Sequence, residues 1–284
     1  MQLTESPQSL VKNIRGLASL PAVFTRLNEA VNGNNSMDQI ALIIAEDTNL
    51  TARLLRLVNS SFYGFPSKID TVSRAITLIG TREVRDLALA TYVMSLFRDI
   101  PADLVSMESF WRHSIACGIT ARSLADLRHD EQPETWFVAG LLHDIGRLVI
   151  FLNIPDQGRK SLLEAKSSSQ LLYVTERELL GFDHASVGGA LLREWKLPVS
   201  LIEAAMFHHE PVKALREPMP AATVHVADII VHSMRLGSSG GVFVPPLASA
   251  AWDRLGLSSG VLPAVIRQVE LRYETMVQLF KNFM

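Results

Sequence analysis

A single cysteine, Cys117, stands in the whole 284-residue chain. That excludes an intramolecular disulfide and any thiolate-rich zinc site, and it fits a reducing cytoplasm. Neither sign of charge is in surplus: 27 lysines and arginines oppose 29 acids, a net of −2. No global basic field therefore favours nucleic acid. The opening residues, MQLTESPQSLVKNIRG, lack the apolar run of a signal peptide. No uninterrupted apolar stretch reaches the roughly 20 residues that span a bilayer. The longest candidate, residues 138–152, carries His143, Asp144 and Arg147. The expectation is a cytoplasmic protein with no membrane partner and no strong nucleic-acid signal. Alternation of apolar and polar residues is missing too, so no strand is expected.

What is present is helical periodicity almost throughout, with 48% hydrophobic residues to build a substantial core. Ser36-Met37-Asp38-Gln39 reads as a capping box ahead of Ile40, Ile43 and Ile44. Phe62-Tyr63-Gly64-Phe65-Pro66 breaks the pattern. Gly80 is expected to end one helix in the left-handed conformation, with Thr81 capping the next. Arg98-Asp99-Ile100-Pro101 reads as a linker, which divides the chain into a helical part over 1–98 and a second helical part over 99–284. Gly237-Ser238-Ser239-Gly240-Gly241 reads as a mobile loop. Leu262 to Phe280 forms an amphipathic helix with Val265, Ile266, Val269, Tyr273, Met276 and Phe280 on one stripe. The fold class is all-α.

The second part holds histidines and aspartates in a fixed order: His113, His143-Asp144, His184, His208-His209 and Asp228. His113 shares a stripe with Ala116, Cys117, Thr120 and Leu124, so its ring faces a core. Asp228 shares one with Val224, His225, Val231 and His232. A buried carboxylate needs a counter-charge. For Asp144 that is a metal cation or Arg147; for Asp228 it is a metal cation or the neighbouring His225 and His232. His184 follows Asp183, a natural helix N-cap, and His208-His209 end a helix, where histidine is favoured by the dipole. Each position has a plain structural explanation. The ordered set together points to one or two metal ions. Imidazole and carboxylate donors suit iron, manganese, zinc or nickel.

The residues resemble the HD superfamily of metal-dependent phosphohydrolases, and more narrowly the HDOD family, the HD-related output domain. In the first part the resemblance rests on Leu20-Pro21-Ala22-Val23, Ile44-Ala45-Glu46-Asp47-Thr48-Asn49-Leu50-Thr51, Leu57-Val58-Asn59-Ser60-Ser61-Phe62-Tyr63-Gly64 and Ala75-Ile76-Thr77-Leu78-Ile79-Gly80. In the second it rests on Gly140-Leu141-Leu142-His143-Asp144-Ile145-Gly146-Arg147-Leu148, Asp183-His184-Ala185-Ser186-Val187-Gly188, Trp195-Lys196-Leu197-Pro198 and His208-His209-Glu210-Pro211. It implies an N-terminal helical bundle packed on an HD-type helical core. It also implies that His113, His143, Asp144 and Asp228 hold one metal, with Asp144 bridging to a second held by His184, His208 and His209.

Two departures qualify the likeness to the related HD-GYP phosphodiesterases. The Gly-Tyr-Pro signature of cyclic-di-GMP hydrolysis is absent after His208-His209-Glu210, where Pro211-Val212-Lys213 stands. Arg147 occupies the place of a phosphate-contacting lysine, and its fork has a different reach. The resemblance therefore implies a bacterial regulatory module that meets a signalling partner and holds a metal, a nucleotide or a phosphate, without established catalysis. A metal-dependent phosphohydrolase acting on a nucleotide or cyclic dinucleotide is the second expectation. A metal-free helical scaffold is the third.

Overall fold

The computed structural model describes residues 5–13, 20–60, 62–97, 100–130 and 133–281. Among these there is no strand. The helices, in chain order, are α1 (Pro7–Asn13), α2 (Ala22–Asn32), α3 (Met37–Ala45), α4 (Thr48–Val58), α5 (Val72–Ile79), α6 (Thr81–Leu96), α7 (Met107–Leu127) and α8 (Pro133–Leu142). They continue as α9 (Ile145–Asn153), α10 (Pro155–Ser167), α11 (Leu172–Leu180), α12 (His184–Glu194), α13 (Val199–Phe207), α14 (Pro218–Met234), α15 (Ser249–Leu255) and α16 (Leu262–Lys281).

Packing divides the chain into two compact units. One comprises Met1–Ser19 and Asp99–Val269, the other Leu20–Arg98 and Glu270–Met284. Arg98 and Asp99 of the expected linker lie outside the described residues. The division differs from the simple two-part reading at both ends. Residues from Glu270 go with 20–98 because the stripe on α16 continues: Tyr273, Met276, Val277 and Phe280 are buried, and the Arg272 guanidinium lies 5.7 Å over the Phe62 ring. Ile266, expected on the buried stripe, is exposed.

Local chemistry sets the helix starts in the unit built from 20–98. Ser36 and Gln39 form the expected capping box on α3. Asp47 caps α4 through the Leu50 amide and also accepts from the Tyr92 hydroxyl at 2.7 Å. Thr71 caps α5 through the Arg74 amide. Gly80 does carry a positive φ of 90°, but its ψ is 162°, so it is not in the left-handed helical conformation. It precedes α6 itself, and Thr81 is the first helical residue rather than the cap. α6 packs against α2, α4 and α5 and is buried on nearly every side from Val84 to Met94.

The other unit is organised around α7, which packs along α8 and α14. α9 and α13 both pack on α12, and α13 closes against α14. One stretch, Thr135–Asn153, is long and apolar enough to cross a membrane by length and composition, but 83% of its apolar window is buried in the structure. That stretch is two helices, α8 and α9, broken at the pair His143-Asp144.

Candidate metal centre

Two close helix approaches bring the donors together. Gly140 on α8 lies against α7, where a Cβ would sit 2.6 Å from the Cys117 carbonyl oxygen and 2.8 Å from the Gly118 Cα. Only glycine permits that contact. It sets His113, on α7, beside His143, which follows α8. Gly146 in α9 makes the same kind of approach to α12, where a Cβ would collide with the His184 carbonyl and the Gly188 amide. That contact brings the first residue of α12, His184, to the Asp144 carboxylate. Asp183 caps α12 by accepting from the Ser186 amide at 2.8 Å. His208 is the C-cap of α13, with His209 next in the chain, and Asp228 projects from α14.

The donor atoms form two groups: His113, Cys117, His143 and Asp228, and then Asp144, His184, His208 and His209. Within each, the atoms lie within 4.8 Å of one another, close enough to share an ion. In the first, Asp228 Oδ1 is 3.1 Å from His113 Nε2 and 3.6 Å from His143 Nε2. In the second, Asp144 Oδ1 is 3.0 Å from His184 Nε2 and 3.5 Å from His208 Nε2, and His209 Nε2 is 3.0 Å from His184 Nε2. Asp144 also turns its other oxygen to the first group: Oδ2 is 3.3 Å from His143 Nε2 and 3.8 Å from His113 Nε2. One carboxylate thus faces both groups.

Ring orientation is fixed from outside. His143 Nδ1–H donates to the Gly140 carbonyl at 2.7 Å, and His208 Nδ1–H to the Ala205 carbonyl at 2.8 Å. His184 Nδ1 is 2.5 Å from Glu176 Oε2, which also accepts from the His184 amide at 2.9 Å. A carbonyl or carboxylate on Nδ1 places the proton there and leaves Nε2 as a lone pair facing inward. His143 Nε2, His208 Nε2 and Asp144 Oδ1 are buried with no hydrogen-bond partner. Buried polar atoms are rarely left so. Inward lone pairs and an orphaned carboxylate oxygen fit a cation. His113 differs, since its Nδ1 has no partner.

The electrostatics of the two carboxylates agree. Burial opposes charge on Asp144, but Arg147, His143 and His184 outweigh it and hold the carboxyl well below its usual range. Burial likewise opposes the charge on Asp228, and His232, His113 and His143 reverse it. Burial works against a charged His143, yet Asp144 and Asp228 raise it to about 10. Burial dominates at His113, His208 and His209 and pushes all three down.

Several neighbours escape a reading of residue order alone. Glu176 faces inward from α11 beside Leu172 and Thr175, a helical spacing that marks it as Asp228 was marked. Tyr173 stacks on His209 with ring centroids 4.1 Å apart, and Arg177 ties Asp183 to Glu210. Cys117 sits one turn beyond His113 on the same stripe. His232 Nε2 lies 3.3 Å from Asp228 Oδ1, as expected of a counter-charge. His225 does not contact that carboxylate in the same way. Its Nδ1–H donates to the His208 carbonyl at 2.7 Å, and its Nε2 accepts from the Ala248 amide at 2.9 Å. Both nitrogens are used structurally.

Arg147 is 3% exposed. Its Nε is 3.5 Å from Asp144 Oδ1, and its two terminal nitrogens reach His184 Nε2 at 3.2 Å and Ser239 Oγ at 3.0 Å. The glycine-rich segment 237–241 is therefore tied down: Ser239 is buried, and the Ser238 amide donates to the Ser109 carbonyl at 3.1 Å.

The sequence profile of the HDOD domain matches residues 17–211. The chain belongs to the HDOD family. The crystal structure of an HDOD domain protein of unknown function from Geobacter sulfurreducens superposes with a TM-score of 0.74 at 21% identity, covering 98% of each chain. A Shewanella amazonensis protein, provisionally described as a phosphohydrolase, gives 0.74 at 22% identity over 99% of this HDOD chain and all of its own. At those identities the likeness is one of fold. An uncharacterized protein of Treponema pallidum is 26% identical over 234 residues, or 81% of this chain. The chain spans 45% of that relative's length.

Proposed function

We propose that this HDOD chain is a bacterial signalling module whose buried His/Asp centre holds one or two transition-metal ions as part of a regulated fold rather than for turnover. The observation that carries the reading is the state of Arg147. Its guanidinium, which stands where the related phosphodiesterases carry a phosphate-contacting lysine, is enclosed against Asp144 and His184 and latched to Ser239. The missing Gly-Tyr-Pro signature points the same way. In this reading His113, His143 and Asp228 hold one ion, Asp144 Oδ1 with His184, His208 and His209 holds the other, and Asp144 bridges. Glu176, Gly140 and Ala205 orient the rings by accepting their outer N–H groups. Signalling contacts with a partner protein fall to helices α2–α6, and the ions are iron, manganese, zinc or nickel.

A second reading, a metal-dependent phosphohydrolase, is favoured by the split of the Asp144 carboxylate between two donor groups. Ions held there would polarise a phosphoryl group and lower the pKa of a bound water. The two readings separate in a turnover screen with nucleotides, cyclic dinucleotides and a generic phosphodiester, run with manganese and with ferrous iron under reducing conditions. The regulatory reading expects no hydrolysis above the metal blank. Hydrolysis that disappears in Asp144→Ala overturns it in favour of the enzyme.

A further inference from the structure

We propose that the lone cysteine, Cys117, is itself a metal ligand, adding a sulfur donor to His113, His143 and Asp228. The inference rests on the metal reading above and goes beyond its His/Asp shell. Cys117 is fully buried on α7, one turn after His113. Its Sγ lies 3.8 Å from His113 Nε2 and 3.8 Å from Asp228 Oδ1. The other measured edges of the set are 3.1 Å, from His113 Nε2 to Asp228 Oδ1, and 3.6 Å, from His143 Nε2 to the same oxygen.

Those lengths can be compared with a tetrahedral ion. Metal–nitrogen and metal–oxygen bonds of about 2.1 Å and a metal–sulfur bond of about 2.3 Å give nitrogen–oxygen edges of about 3.4 Å and nitrogen–sulfur edges of about 3.6 Å. The observed edges lie within a few tenths of these values. A second observation points to the same space. His143 Nε2 is buried without a hydrogen-bond partner and faces this group, its other nitrogen already committed to Gly140. The ordinary role of a buried cysteine is that of a small apolar residue. That role does not require its sulfur to face two nitrogen and oxygen donors that themselves converge.

On binding, the Cys117 thiol releases its proton to solvent and its sulfur joins the metal. Sulfur softens the first position relative to the second, which has only imidazole and carboxylate donors. Zinc, ferrous iron and cobalt are then favoured there over manganese and magnesium. The chain has no other cysteine, so any thiolate bond to a bound metal belongs to Cys117.

The test uses the full chain, freed of metal and titrated with cobalt(II) under reducing conditions. Wild type is expected to show a near-ultraviolet sulfur-to-cobalt charge-transfer band that rises with the first equivalent. Cys117→Ser, close to isosteric, is expected to lose the band and to bind cobalt more weakly by about tenfold or more, the loss that even an outer-shell partner causes. Zinc-edge X-ray absorption of wild type alone should resolve one sulfur at about 2.3 Å, which removes any dependence on how the variant folds. Stoichiometric binding without the band and without that sulfur overturns the cysteine assignment and leaves the His/Asp reading standing. No cobalt binding at all overturns both.

Discussion

Gly140→Ala separates two contributions of opposite sign. Gly140 lies inside α8, where helix propensity alone favours alanine by about 1 kcal/mol. Packing opposes it. The new Cβ would stand 2.6 Å from the Cys117 carbonyl oxygen and 2.8 Å from the Gly118 Cα, both backbone atoms that cannot rotate away. Ordinary contact begins at 3.4 Å, so α7 and α8 must part locally by 3.4 − 2.6, or 0.8 Å. Overpacking of that kind costs about 1–3 kcal/mol, so the net is a loss of up to about 2 kcal/mol. The same displacement lengthens the path from His113 and Cys117 to His143 and weakens the first metal position. Urea denaturation of metal-free protein measures the first effect, and competition with a chelating dye measures the second. A variant as stable as wild type or more so, with unchanged metal affinity, would refute the claim that this helix contact sets the geometry of the centre.

Glu176→Gln keeps the shape but loosens the hold on the His184 ring; metal affinity should fall about 10–100-fold, read by the same competition, with little change in the metal-free melt. In metal-free protein the His143 pKa is raised to about 10, so its contribution to stability is present below the ordinary histidine value and lost as pH rises through about 10. Metal must displace that proton, so affinity should rise with pH between mildly acidic and mildly alkaline buffers; a flat profile would contradict the proton linkage. Phe62→Ala should destabilise by about 3–5 kcal/mol in thermal or chemical unfolding, because the ring is buried beneath Arg272 and edge-on to Tyr63. Superimposable melts would contradict it.

Much of this was legible in local chemistry. The Ser36 capping box, the Asp183 cap and the inward stripes of α7 and α14 depend only on near neighbours in the chain, and all are found where their spacing puts them. Features set by distant packing were not. Nothing local says that the end of α16 joins 20–98, that Ser239 in a glycine-rich stretch is buried on Arg147, or that His225 gives both nitrogens to backbone. Gly80 shows the limit at one residue: the need for positive φ was readable, but ψ depends on how α6 leaves the turn. For the centre, order and residue type singled out the His and Asp side chains that the fold brings together. The division of Asp144 between two groups, and the Cys117 sulfur beside the first, required the helices in place.

The central claim is that these buried side chains gather around transition metal. The measurement that meets it most directly is metal content by mass spectrometry on protein purified without chelators or a nickel column, beside Asp144→Ala prepared identically. The account predicts one to two equivalents of a transition metal per wild-type chain and a marked loss in the variant. Wild-type protein carrying none, even after anaerobic incubation with iron, manganese and zinc, or a variant that keeps the full complement, would contradict it.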